Sequence, residues 1–297
     1  MNTLPDFIII GAMKCATSTL HQQLARQRGI CMSMPKEPNF FSDDRHWSRG
    51  LDWYGSLFDA AQPGDLCGES STHYTKLPTY PHTIERMTRC LGERTRFVYI
   101  MRHPVDRLVS HYVHDWSRRK VSVPIDTAID RHPELVAYGR YAMQLKPYLA
   151  RFGPERVLPV FFDRLAMEPQ EELARVCEFI GYRRRPAWNR GAGKENESSR
   201  RIRRTAFRDM ILDCQALRSA ARRLIPKGIR SAVEEAWSVK ERPEPSRDRR
   251  MHLEKIFDQD LRIVGDWMGM RLSCATFKRI GRTAAASWAI RRMEDAA

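Results

Sequence analysis

The chain has 297 residues, 42% of them hydrophobic and 29% charged, and a formal net charge of +15. That apolar share supplies a packed core and excludes a disordered composition, while the length fits one large α/β domain with helical additions. No apolar run approaches the roughly 18 residues that span a bilayer, and Phe7–Ile10 is too short for an export-signal core. The seven cysteines, none in CxxC spacing, are therefore expected as reduced thiols of a cytoplasmic protein without a zinc site. The positive excess is concentrated: residues 181–230 hold 15 Lys and Arg against 4 Asp and Glu. Such charge calls for an anionic partner, and the scarcity of aromatic residues in that stretch argues against nucleic acid.

In chain order, Phe7–Ile10 is a β-branched run that ends at Gly11 and gives way to a helical pattern with Leu20 and Leu24 one turn apart. Leu66–Ser70 adds a short strand. A second strand-loop-helix unit starts at Arg96 and runs to Arg102. It breaks at His103-Pro104 and continues as a helix through Val105, Leu108, Val109 and Tyr112, with Pro104 suited to the first turn. Val157–Phe162 is a third buried strand, followed by a helix carrying Leu173, Val176, Cys177 and Ile180 before Gly181 ends it. The basic stretch 183–250 reads as helices and loops. A last helix, Met251–Trp267, sets Leu253, Ile256, Phe257, Leu261 and Val264 on one side. The expectation is a single α/β domain over 1–297, with its core in 5–182 and a mainly helical, basic C-terminal part in 183–297. Its centre is a P-loop-type parallel β-sheet with helices on both faces. Ligands in such sheets bind beyond the carboxyl ends of the strands. Gly11–Thr19 and Arg102–Ser110 are the loops that leave those ends.

Gly11-Ala-Met-Lys14-Cys15-Ala16-Thr17-Ser18-Thr19 joins a strand to a helix, so backbone N–H groups and the positive helix end converge on one point and favour an anion. Lys14 and the hydroxyls of Thr17, Ser18 and Thr19 add donors. A nucleoside-triphosphate loop would place Gly-Lys directly before Ser or Thr, and that pattern is missing. In the second loop Arg102 offers a forked donor and Ser110 lies further along the helix, so a phosphate fits between them. Arg107 reads as a solvated helix-surface arginine outside the site.

These motifs resemble those of sulfotransferases that use 3′-phosphoadenosine-5′-phosphosulfate (PAPS), of the glycan and bacterial type that includes heparan sulfate sulfotransferase domains. GAMKCATSTL resembles the family's 5′-phosphosulfate loop, with Ala16 where glycine is usual. Tyr99-Ile-Met-Arg102-His-Pro-Val-Asp-Arg-Leu-Val-Ser110 resembles its 3′-phosphate element. Lys36-Glu37-Pro-Asn39-Phe40-Phe41 resembles the Lys-Glu-x-x-Phe-Phe element whose glutamate is the general base, with Asn39 where relatives often have histidine. Gly50-Leu-Asp-Trp53-Tyr54 and Gly68-Glu69-Ser70-Ser-Thr-His73-Tyr74 resemble two further family segments, the second with His73 as runner-up base. Asn196–Arg201 resembles loosely the late loop over the 3′-phosphate, with Arg200 and Arg201 as candidates.

The resemblance implies sulfonate transfer from PAPS to a hydroxyl, less readily an amine, of a saccharide or a glycosylated or lipid-linked small molecule, releasing PAP without a metal. Glu37 and Lys14 are the catalytic candidates. Lys14, Cys15, Ala16, Thr17, Ser18, Thr19, Arg102, Ser110, Arg200 and Arg201 hold the donor. The rival readings are a nucleotide-dependent kinase, for which Glu69 is the carboxylate nearest a strand end, and a nucleic-acid binder suggested by charge alone.

Overall fold

The computed structural model describes residues 3–191 and 242–290. Among these, five strands form one parallel sheet. They are β1 (Phe7–Gly11), β2 (Ile30–Met32), β3 (Leu66–Ser70), β4 (Arg96–Met101) and β5 (Val157–Phe161), in the spatial order β2-β3-β1-β4-β5. Every residue of β1 and all but the first of β4 are buried. Continuous burial, rather than alternation, means that both faces of the sheet are covered.

Two glycines in these strands are set by close packing. A Cβ at Gly68 would stand 2.1 Å from the Phe7 ring, which lies across β3 from the neighbouring strand. At Gly11 it would stand 2.1 Å from Thr75 Oγ1, the hydroxyl that donates to the Ile10 carbonyl at 2.7 Å. The 3₁₀ turn Thr72–Thr75 is thereby clamped onto the end of β1.

Helix α1 (Thr17–Leu24) follows β1, and α2 (Asp44–Trp47) and α3 (Gly50–Ser56) lie between β2 and β3. After α4 (Thr83–Cys90) and β4, the crossover to β5 contains α5 (Pro104–Ser117), α6 (Ile125–Arg131), α7 (Glu134–Ala137) and α8 (Tyr141–Phe152). Helices α9 (Phe162–Met167) and α10 (Pro169–Phe179) come next, and beyond residue 241 lie α11 (Arg247–Met268) and α12 (Cys274–Thr283). The chain leaves β1 towards β3 and β2 but leaves β4 towards β5. The boundary between β1 and β4 is therefore the topological switch point, where sheets of this kind open a crevice for ligands.

The structure corrects the sequence reading of several elements. Strand β2 was not foreseen, because three residues are too few to show a period. The helix expected at Met251–Trp267 starts at Arg247, where the Ser246 hydroxyl accepts the Arg249 N–H at 3.4 Å. It is not the last helix, since α12 follows with a Ser273–Thr276 capping box. Leu253, Phe257, Leu261 and Val264 of α11 are buried as expected, whereas Ile256 is only half-buried. Asp260 on the same helix accepts the N–H groups of Ala142 at 2.8 Å and Met143 at 3.3 Å, which fastens α11 to the positive end of α8.

Candidate active site

The loop from β1 to α1 is wound so tightly that Lys14 and Ala16 both take left-handed backbone angles, with φ of 72° and 65°. Leu20 N–H is bonded to the Ala16 carbonyl at 3.1 Å, which leaves the N–H groups of Thr17, Ser18 and Thr19 as the open first turn of α1. Those amides and the half-buried Lys14 meet at the positive end of the helix, an arrangement that favours an anion. Cys15 does not share in it. Its N–H donates to the Ala12 carbonyl at 3.2 Å, and its buried thiol faces the Met13 carbonyl at 3.7 Å. The sequence reading counted Cys15 among the ligand-binding residues; the structure gives it the inner side of the loop.

The second loop lies against the first. Arg102 donates from Nη1 to the Lys14 carbonyl at 3.4 Å, and its guanidinium lies 4.7 Å above the Phe162 ring. The Tyr141 hydroxyl fixes the strand end twice, by accepting Arg102 N–H at 3.1 Å and donating to the Arg102 carbonyl. Ser110 is buried on α5 at 3% exposure. Arg107 is a correction. It is fully buried rather than solvated, its Nη2 donates to the Leu135 carbonyl, and its Nε has no partner among the described residues. The helix period alone could not show this, because α7 and Leu135 cover that face of α5 only in the folded chain.

The loop carrying Glu37 is held by β3 and the turn after it. Glu37 N–H donates to the Ser70 carbonyl at 3.0 Å, Asn39 N–H to Ser71 Oγ at 3.0 Å, and Phe41 N–H to the Tyr74 hydroxyl at 3.4 Å. Glu37 and Asn39 are also left-handed, with φ of 61° and 53°. Four of the five non-glycine residues with positive φ among the described residues therefore lie in these two loops. Strain of this kind collects where a site dictates the backbone.

Beneath the loop, Phe40 stacks on Tyr54 at 4.4 Å, and the Tyr54 hydroxyl donates to Glu69. Glu69 also accepts from Ser71 Oγ at 2.6 Å. Burial raises its carboxyl to about 7 against the lowering effect of these donors. Phe40 and Phe41 are thus core, and Glu69 is a buried support whose oxygens are already engaged.

The Glu37 carboxylate is surrounded by cations. Its Oε1 pairs with Lys36 Nζ at 2.8 Å and accepts from Thr72 Oγ1 at 3.4 Å. Burial pushes its pKa up, but the Lys36 ammonium, with lesser help from Lys76, brings it below the usual range. The group is ionised at neutral pH. Lys76 is buried near it and above the Tyr138 ring, at 5.7 Å, and desolvation lowers its pKa to about 8 in spite of Glu37. His21 and His73 are lowered to about 4, mainly by burial and then by the charges of Lys36 and Lys76 respectively, so both are neutral. His73 stacks on Tyr80 at 4.6 Å, and its Nδ1 is buried without a partner among the described residues.

The Sulfotransferase domain family matches residues 4–262. This chain belongs to the sulfotransferase family. Two curated relatives are the mouse heparan sulfate glucosamine 3-O-sulfotransferase 3B1 and the human enzyme 3A1. They are 30% and 31% identical over 190 residues, which is 61% of this chain and 47% and 45% of theirs. The chain spans about half the length of the curated relatives it matches. Among solved structures, a sulfotransferase from Alicyclobacillus acidocaldarius superposes with a TM-score of 0.64 at 23% identity, covering 91% of this chain and 98% of its own, so the fold is shared.

Within that family fold, the structure brings the Lys14 loop and Arg102 together at the switch point and ties the Glu37 loop to α1 through Ser70 and His21. Arg200 and Arg201 lie outside the described residues. The sequence reading missed Lys76 and His21 as shapers of the Glu37 environment, and it weighed the Lys36 pair only as a rival to a catalytic Glu37. Lys36 was legible as a neighbour, whereas the other two arrive from distant turns.

Proposed function

We propose that this sulfotransferase moves the sulfonate group of PAPS to a hydroxyl of a saccharide or glycosylated small-molecule acceptor, releasing PAP. The observation that supports the reading is the Arg102–Lys14 contact at the switch point, which brings the two candidate phosphate loops side by side, in keeping with a nucleotide that carries phosphates on both its 3′ and 5′ positions. The amides of Thr17–Thr19 and Lys14 take the 5′-phosphosulfate end, and Arg102 with Ser110 takes the 3′-phosphate. The donor supplies an activated sulfonate, and the chain does the rest. Glu37 accepts the proton of the acceptor hydroxyl as the new S–O bond forms. Lys14 and the α1 terminus stabilise the charge that grows on the departing bridging oxygen.

A saccharide acceptor is supported by the names of the curated relatives, which act on heparan sulfate glucosamine. The seven cysteines without paired spacing favour a reducing compartment such as the cytoplasm. A kinase reading has no comparable support, because its carboxylate, Glu69, is enclosed by Tyr54 and Ser71.

The deciding experiment incubates the protein with sulfur-35-labelled PAPS and a panel of saccharide acceptors. Label should move to an acceptor with matched release of PAP. Absence of transfer to any hydroxyl-bearing acceptor, or equal activity with labelled ATP, would defeat the reading.

A further inference from the structure

Helix α12 lies beyond the family match, which ends at residue 262, yet it is built into the donor side of the sheet. The His103 ring Nε2 is 3.1 Å from the Cys274 carbonyl oxygen, and Phe277 is fully buried against the rings of Phe161 at 5.4 Å and His103 at 6.2 Å. Gly281 packs on the same ring, where a Cβ would stand in ordinary contact with the Phe161 side chain at 3.4 Å. The helix is thus fixed beside Arg102 and the carboxyl ends of β4 and β5.

From that position Lys278 reaches α5, where its Nζ stands 2.6 Å from Asp106 Oδ2. Asp106 precedes Ser110 by four residues, so the two share a helix face. A bare carboxylate there would repel a phosphate held between Arg102 and Ser110. Arg242 adds a second cation, 3.6 Å from Asp106 Oδ1. On the other side, Asp163 Oδ2 is buried with no hydrogen-bond partner among the described residues, and the charges of Lys278, Arg282 and Arg102 all bear on that carboxyl. Two acids, Asp106 and Asp163, thus share Lys278 beside Arg102, one on the helix that carries Ser110 and one at the start of α9.

We propose that α12 is part of the donor site of this chain and that Lys278 binds the 3′-phosphate, resting against Asp106 until the phosphate arrives. This rests on the PAPS reading above. Lys278 is about half exposed, at 48%, so its ammonium can move without disturbing the core, while α12 keeps its base in place.

The test is calorimetric titration of the full chain with PAP and with adenosine 5′-phosphate, which lacks the 3′-phosphate. Lys278→Met should weaken PAP by on the order of tenfold or more, the range of a lost charge-assisted contact, with adenosine 5′-phosphate binding and the melting temperature of the ligand-free protein nearly unchanged. Asp106→Asn should tighten PAP a few-fold and, added to Lys278→Met, recover part of the loss. Equal weakening of both nucleotides by Lys278→Met, no weakening, or weaker PAP binding in Asp106→Asn would overturn the role of Lys278. A wild-type protein that binds PAP no better than adenosine 5′-phosphate would instead overturn the donor reading itself.

Discussion

Ser70 is hydrogen-bonded to His21, with its Oγ 2.9 Å from the imidazole Nδ1. Its carbonyl oxygen accepts the Glu37 N–H at 3.0 Å. One residue at the end of β3 thus joins the helix that carries the phosphate loop to the loop that carries the proposed base. The neutral state of His21 suits this coupling, because an imidazolium beside Lys36 would repel it.

The base assignment predicts that Glu37→Gln loses turnover by about 100 to 10,000-fold with PAP affinity unchanged, since the amide keeps the shape and cannot take a proton. His73→Asn should retain turnover within a few-fold, because burial and Lys76 hold His73 near 4 and its ring is stacked on Tyr80. Steady-state kinetics beside PAP titration checks both. Near-normal turnover in Glu37→Gln with an inactive, folded His73→Asn would move the role to His73.

Lys36 sets the working range of that base. Its ammonium opposes the upward push of burial on Glu37, so the acid limb of kcat/KM against pH should fall below the usual carboxylate range in the wild type. In Lys36→Met the limb should move to higher pH. A limb that stays in place would show that Glu37 is not the group being titrated.

Lys14→Ala should cut turnover strongly and leave the fold intact, because Lys14 sits in a loop and acts on charge that develops only during transfer. Circular dichroism and single-turnover transfer from PAPS separate the two effects. Turnover within a few-fold of wild type would remove Lys14 from the mechanism.

At Ala16 the left-handed backbone, φ 65°, costs an alanine about 1 kcal/mol relative to glycine. Ala16→Gly should therefore be stable to at least the wild-type level in urea unfolding, despite the added freedom of the unfolded chain. A clear loss of stability would mean that the Ala16 methyl makes packing contacts that outweigh the strain.

Glu69 gives a pH signature. Burial raises its carboxyl from an ordinary value near 4.5 to about 7, so the folded state keeps a proton that the unfolded state releases. Its contribution is fully present below about 4.5 and is lost as pH rises through 7. Between those values the wild-type melting temperature should decline relative to that of Glu69→Gln, by the equivalent of on the order of 1–3 kcal/mol. Parallel curves for the two proteins would place the Glu69 pKa back in the ordinary range.

The sequence by itself determined the strand-loop-helix units at Phe7 and Arg96, because a β-branched run such as Phe7–Ile10 closed by Gly11 and followed by a helical period specifies both elements, and the open amides of Thr17–Thr19 follow from the start of that helix. Lys36, Glu37 and Phe40 were likewise readable as one local element. Tertiary structure alone decided which of the neighbouring side chains turn inward and which stay at the surface of the loop. Cys15 turns inward because its N–H finds Ala12, and Arg107 is buried because Leu135 and α7 close over it. Lys76 comes near Glu37, and Lys278 meets Asp106 across a separation of 172 residues, because the sheet order and the docking of α12 place them there. A local pattern fixes backbone direction within a few residues, whereas the charge around a carboxylate is the sum over every element packed against it, and that sum exists only in the folded chain.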